Sequence, residues 1–256
     1  MAAKYITIQS LARAVSILEY LAQEGHGQGI AAISEAVGLH KSTCFGLLHT
    51  LQELGMVQRH AKTGGFSLGL KTFTLGKAYT DNLDIRRLAQ PHLRSLADEA
   101  LETVHLVIRE GPHAVYIDKI EGPHAIAIIS QVGSRAKMHC TGVGKAILAH
   151  MPPAERDAIL AQPLEKLTEH TLTDPAALLA ELAEIRKNGV AHDRQEIEIG
   201  LCCLAAPVFD AAGDCTAAIS ISGPTTRLTP ARMAVLEPSL LRAVAEISRL
   251  QGYLPA

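Results

Sequence analysis

The chain has 256 residues, enough for two ordinary domains or one large one. With 48% hydrophobic and 20% charged residues it is composed like a folded soluble protein, which excludes a disordered tail. No apolar run approaches the roughly 18 residues of a membrane span, and residues 1–10 lack the apolar core of a secretory signal, so the expected location is cytoplasmic with no membrane partner.

Charge and cysteine usage narrow the classes further. The net charge is −2, but it is unevenly spread. Residues 1–80 carry seven Lys and Arg against four Glu, a balance of +3, and the remainder carries 17 against 22, a balance of −5. The sign suits a nucleic-acid-facing N-terminal part, although the size is modest. The five cysteines are odd in number and form no C-x-x-C pair, which argues against a disulfide framework or a structural zinc module. Neither a metal nor a cofactor is expected.

Taken in chain order, Ser10 is the expected N-cap of a helix from Leu11 to Gln23. Its apolar stripe is Leu11, Ala14, Val15, Leu18, Leu21 and Ala22. A loop with three glycines follows, and then a short helix from Ile30 to Val37 stopped by Gly38. After the Gly38-Leu39-His40 turn, a third helix runs from Lys41 to Leu54, with Cys44, Leu47, Leu48, Leu51 and Leu54 on the buried side. Lys41, Ser42, Thr43, Phe45, Gly46, His49 and Thr50 then point elsewhere. A helix start bearing an ammonium and two hydroxyls suits contact with phosphates and base edges, and on spacing alone it suits ordinary capping equally well. Residues 56–60 and 66–68 form a hairpin about the 61–65 turn, with Arg59 and Lys62 near its tip as DNA contacts or as solvated loop charges. Three helices and a hairpin outline a winged helix-turn-helix.

Leu70, Phe73, Leu75 and Tyr79 make the next helix more apolar than a linker requires, so it is expected to pack within the chain or against its copy in a dimer. A further helix covers Asp84–Leu101 and contains Pro91. From there the texture changes to strand-like runs at 103–109, 114–119, 125–131, 201–209 and 215–222, with helices at 153–160, 175–188 and 230–251. This is an α+β domain with an antiparallel sheet. Thr141–Lys145 is not a phosphate loop, since Ala146 follows the lysine, but with Thr141 as N-cap it can offer backbone N–H groups to a small carboxylate. The alternative is a tight turn whose glycines only permit close packing. Asp193, Cys203, Ser220 and Ser222 are placed around a cavity, the two serines on one face of a strand because they are two residues apart. His105, His139, His192, Cys140 and Cys203 are the candidates for an enzyme, but no spacing among them matches a catalytic or metal signature.

Several segments in register resemble the IclR family of bacterial transcriptional regulators over nearly the full length. They are residues 10–22, 38–43 and 66–69 in the first part, and 139–149, 189–210 and 217–224 in the second. The resemblance implies a winged helix-turn-helix DNA-binding domain (1–69), a linker helix (70–83) and a GAF-like effector-binding domain (84–256). It further implies homodimers or dimers of dimers on a double-stranded operator. The expected function is a ligand-responsive regulator, read as the repressor of a catabolic operon whose effector is a small organic acid. A small-molecule-binding protein with protein-contacting helices, and a Cys-dependent enzyme, are the alternatives. By motif, the ligand loop falls on Gly142 and Val143, polar contacts on Asp193, Cys203, Ser220 and Ser222, and an apolar wall on Ala125, Ile128 and Leu201. Two positions depart from the family pattern. Gly46 stands where an arginine is common, and His192 precedes Asp193.

Overall fold

A computed structural model describes residues 8–25, 27–81, 84–123 and 130–254. They fall into two compact units, 1–82 and 83–256. In the first, α1 (Gln9–Glu24), α2 (Ile30–Ala36) and α3 (Lys41–Glu53) precede a hairpin of β1 (Val57–Arg59) and β2 (Phe66–Leu68), and α4 (Leu70–Asp81) follows. Ile17, Leu21, Ile33, Cys44, Leu48, Leu51, Val57 and Phe66 make the shared core. Removing a side chain as fully enclosed as Leu48 leaves a cavity worth about 2–5 kcal/mol.

The α2–α3 turn forms because Gly38 adopts φ +64°, which lets Leu39 N–H donate to the Ser34 carbonyl at 2.9 Å. The hairpin is joined by Gln28, which exchanges two 2.8 Å backbone bonds with Phe66 as an isolated antiparallel bridge. Gly65 is needed there, because a Cβ would sit 2.2 Å from the Gly27 carbonyl oxygen. Sequence reasoning treated this glycine loop only as a helix stop.

The sequence misplaced parts of two helices. Ser10 is not a cap: α1 begins at Gln9, and Ile8 is its extended, side-chain-uncapped N-cap. Leu11 (62% exposed), Val15 (51%) and Ala22 lie outside the core, because only the face bearing Ile17 and Leu21 is covered. Leu54, also expected inside, is 54% exposed just past the end of α3.

The second unit begins with α5 (Asp84–Ala100), β3 (Thr103–Glu110), β4 (His113–Ile120) and the two-residue β5 (Arg135–Ala136). Next come α6 (Gly142–His150), α7 (Pro153–Leu160), α8 (Pro175–Asn188), β6 (Ala191–Arg194), β7 (Leu201–Phe209), β8 (Cys215–Pro224) and α9 (Pro230–Leu250). The strands form one antiparallel sheet in the order β5-β4-β3-β8-β7-β6. Alternating side chains send Leu204, Ala206, Ile219 and Ile221 to the face covered by α5 and α9. Ala205 and Ala218 go to the face covered by α6 and α8. Of the strand expected at 125–131, residues 125–129 lie outside the described residues, and Ser130 and Gln131 belong to no strand.

Candidate functional site

In the first unit the side chains expected to face DNA are exposed. Cys44, Leu48 and Leu51 anchor α3 to the core, which leaves Lys41, Ser42, Thr43, Phe45 and His49 in solvent on the other side. Phe45 is 52% exposed, with its ring 6.5 Å from that of His49 one turn on. His40 caps the backbone without a side-chain bond, so the N–H groups of Lys41, Ser42 and Thr43 have no acceptor among the described residues. Such a helix start favours a phosphate oxygen. In the hairpin, Lys62 is exposed at the turn. Arg59 is engaged locally: its Nε donates to the Gly64 carbonyl at 3.1 Å and its guanidinium lies 5.6 Å from the Phe66 ring centre. It therefore holds the wing turn in shape besides offering charge.

In the second unit a cavity of about 310 Å³ lies over the α6-covered face of the sheet. Strand register brings its floor together. Asp193 on β6 pairs with Cys203 on β7, Cys203 with Ser222 on β8, and Ser220 with His105 on β3. Tyr116 on β4 lies edge-on to His105 at 5.3 Å. His105 Nε2 meets Ser130 Oγ at 2.7 Å, and its Nδ1 lies 3.4 Å from both Ser220 and Ser222 hydroxyls. Burial, helped by the nearby Lys119, lowers the His105 pKa to about 3, so the ring is neutral. Burial likewise lifts Asp193 to about 7, although its Oδ1 accepts the Glu196 N–H at 2.7 Å. The Cys203 and Cys140 thiols, pushed up to about 12 by burial and then by the Asp193 carboxylate, stay protonated.

Thr141 caps α6 as expected, its Oγ1 accepting the Gly144 N–H at 3.0 Å. The first turn offers little more to a ligand. The Gly142 N–H is directed at Cys203 Sγ, and Gly142 packs so closely that a Cβ would lie 2.6 Å from that sulfur. Gly144 is pressed equally tightly on Lys137 and Met138. Both glycines serve close packing, and of the pair expected to form the ligand loop Val143 alone lines the cavity.

Two family models match. That for the IclR helix-turn-helix domain covers residues 10–61, and that for the bacterial transcriptional regulator IclR C-terminal domain covers residues 77–249. The chain belongs to the IclR family. Among curated IclR-type relatives, the transcriptional repressor AllR of Escherichia coli is 37% identical over 246 residues, 95% of this chain and 90% of that protein. The transcriptional regulator BhcR of Paracoccus denitrificans is 35% identical over 242 residues, 94% and 86% of the two chains. The crystal structure of Thermotoga maritima IclR superposes with a TM-score of 0.80 at 33% identity, covering 96% and 100%. The protein is thus an IclR-type, ligand-responsive DNA-binding transcriptional regulator and not an enzyme.

Of the nine effector residues named from sequence, Val143, Asp193, Leu201, Cys203, Ser220 and Ser222 line the cavity. Gly142 lies behind it, and Ala125 and Ile128 lie outside the described residues. His105, considered only as an enzyme candidate, is a floor residue, and Tyr116, Ser130 and Arg135 were missed. Period-2 alternation from Ser220 would have pointed to the strand face, but which β3 and β4 side chains join it depends on register. The remaining enzyme candidates are scattered: His139 Nε2 bonds the Glu165 carbonyl at 2.9 Å and His192 is half-buried. Among the described residues no group of three or more His, Cys, Asp or Glu could hold a metal ion, and no helix is long and apolar enough to cross a membrane.

Proposed function

We propose that this IclR-type regulator is a cytoplasmic repressor of a catabolic operon, released from its operator when a small organic acid fills the cavity of the second unit. The observation that carries this reading is the row of polar side chains from Asp193 through Cys203, Ser222 and Ser220 to His105, set by strand register at the floor of a cavity that Val143, Ile197 and Leu201 also line. Placed polar groups beside apolar walls suit one small ligand. Identity to a protein named as a repressor supports the sign of regulation. We assign Val143, Asp193, Leu201, Cys203, Ser220 and Ser222 to the effector.

DNA contact is assigned to Lys41, Ser42, Thr43, Phe45, His49 and Lys62, with Arg59 shaping the wing. The DNA-binding domain is taken as 1–69, the linker helix as 70–83 and the effector domain as 84–256. On the linker helix Leu70, Phe73 and Leu75 are 78%, 67% and 52% exposed, which supports pairing with a second copy in a homodimer or a dimer of dimers. Binding to the chain's own upstream DNA, measured across salt concentrations with and without a panel of carboxylic acids, tests the proposal. Affinity should fall steeply with salt and fall again with an effective acid. Indifference to salt would remove the DNA assignment, and indifference to every acid would remove the effector class.

A further inference from the structure

We propose that α3 selects thymine in its operator by the 5-methyl group, which enters an open notch over Gly46 beside the paired rings of Phe45 and His49. This rests on the assignment of α3 to DNA and names the base it reads and the side chains that choose it.

The notch follows from what α3 buries. Cys44, Leu48 and Leu51 hold one face of the helix in the core, and Gly46 falls on the solvent side. Its neighbours on that surface are Ser42, His49 and Thr50, three or four residues away. A Cβ added at Gly46 would meet no side chain within 4 Å apart from its two chain neighbours. The Thr50 hydroxyl is turned back onto the Gly46 carbonyl at 3.0 Å. The helix is therefore open down to its backbone at this point, and a small group from outside can come closer here than over any residue with a side chain.

Phe45 decides which group that is. Among the described residues it and Phe73 of the linker helix are the exposed phenylalanines, and its ring lies 6.5 Å from that of His49 at a tilt of 43°. The two rings make one side of the notch. Residues 41–52 carry Lys41 and no carboxylate, so this surface complements a polyanion. A phenyl ring gains little from phosphates or from polar base edges. In the major groove thymine is the one base that presents an apolar group, its 5-methyl, and a phenylalanine contact with it excludes water from both. From Phe45 to His49 the helix rises about 6 Å, close to two base-pair steps, so the pair covers one or two adjacent thymines in each half-site.

The test uses duplexes from the chain's own upstream DNA, narrowed by footprinting, in which each thymine in turn is replaced by uracil. The replacement removes one methyl and keeps the base pair. Anisotropy titrations of the full chain should find one or two positions per half-site where uracil weakens binding about fourfold, the share of one buried methyl. Phe45→Ala should abolish that penalty, Phe45→Leu should keep part of it, and Gly46→Ala should shrink it because the new methyl occupies the notch. Lys41→Ala should weaken every duplex alike and leave the penalty intact. Thermal melts check that each variant is folded. If no fragment binds, the assignment of α3 to DNA itself fails. If DNA binds but uracil costs nothing at any position, or the penalty survives Phe45→Ala or Gly46→Ala in full, α3 still binds DNA and thymine reading is overturned. A changed oligomeric state in Phe45→Ala with the penalty kept would give the ring to a second copy of the chain and overturn it equally.

Discussion

The Lys145 ammonium is entirely enclosed, with Glu181 Oε1 at 2.8 Å on one side and the Glu196 carboxylate on the other. This places a charge cluster in the first turn of α6, linked to Asp193, whose Oδ1 accepts the Glu196 N–H. Deleting one member of such a cluster strands the others in a poorly solvated site. Lys145→Ala should therefore destabilise the effector domain by about 3–5 kcal/mol. The paired apolar change Lys145→Met with Glu196→Leu should cost much less, because the one carboxylate left, Glu181, is partly exposed and keeps Arg194 at 3.7 Å. Urea unfolding of the three proteins checks this, and equal losses in single and double variants would contradict it.

The cavity floor should make stability depend on pH in two opposing ways. Burial raises Asp193 to about 7 from 3.8, so the folded state holds its proton more tightly than the unfolded chain. Its contribution is full below about pH 3.8 and is lost as pH rises through about 7. His105 is the reverse case. Its folded pKa of about 3 lies below the ordinary 6.5, so its contribution is present above 6.5 and is lost as pH falls toward 3. Between about pH 4 and 6.5 the two slopes oppose each other, each at most about 1.4 kcal/mol per pH unit. Asp193→Asn should leave a stability that climbs with pH across that interval. His105→Gln should leave one that falls. Denaturation midpoints at half-unit steps from pH 4 to 8 distinguish these outcomes.

The wing and the recognition helix should respond differently to mutation. Lys62, exposed at the turn, should act through charge alone, so Lys62→Ala lowers DNA affinity and reduces the salt slope by about one unit. Arg59→Ala also removes the bond to Gly64 and the contact with Phe66, so it should lower the stability of the N-terminal unit as well. Lys41→Ala and Thr43→Ala should weaken DNA binding with little effect on folding. Fluorescence anisotropy across a salt series, paired with thermal melts, tells a purely electrostatic residue from one that also builds the wing.

At Gly46 the backbone is helical and an added Cβ meets nothing within 4 Å. Gly46→Ala should stabilise the N-terminal unit by about 0.5–1 kcal/mol through helix propensity alone. A loss of DNA affinity in this more stable variant would mean that close approach of the α3 backbone to DNA requires the missing side chain. Unchanged affinity would mean that the glycine is merely tolerated.

What could be read from sequence follows the range of each signal. Ser220 and Ser222 were placeable because a strand repeats every two residues, and Thr141 because an N-cap is a local pattern. Leu11 and Val15 were misplaced for a different reason. Periodicity tells which residues share a helix face, but not which stretch of that face another element covers, and here the cover centres on Ile17 and Leu21. Tyr116 and His105 depended on pairing across two strand junctions, one with a register shift between Leu106 and Val107 that no local pattern records. Arg135 sits on a two-residue edge strand, too short to leave any periodic trace.

Gly142 offers the sharpest test of whether the α6 loop serves packing. An alanine there would place Cβ 2.6 Å from Cys203 Sγ, closer than real contacts allow, and a tight 3.1 Å from the Ala205 Cβ. Gly142→Ala should therefore lift the start of α6 off the sheet, costing about 1–3 kcal/mol as overpacking and weakening effector binding with it. Cys203→Ala removes the nearer obstacle. In the Gly142→Ala, Cys203→Ala double variant the stability loss should be clearly smaller than the sum of the two single losses, because the residues share one contact. Unfolding free energies around this four-member cycle give the coupling directly. Strict additivity would mean that the Cys203 sulfur is not what an added Cβ at Gly142 collides with.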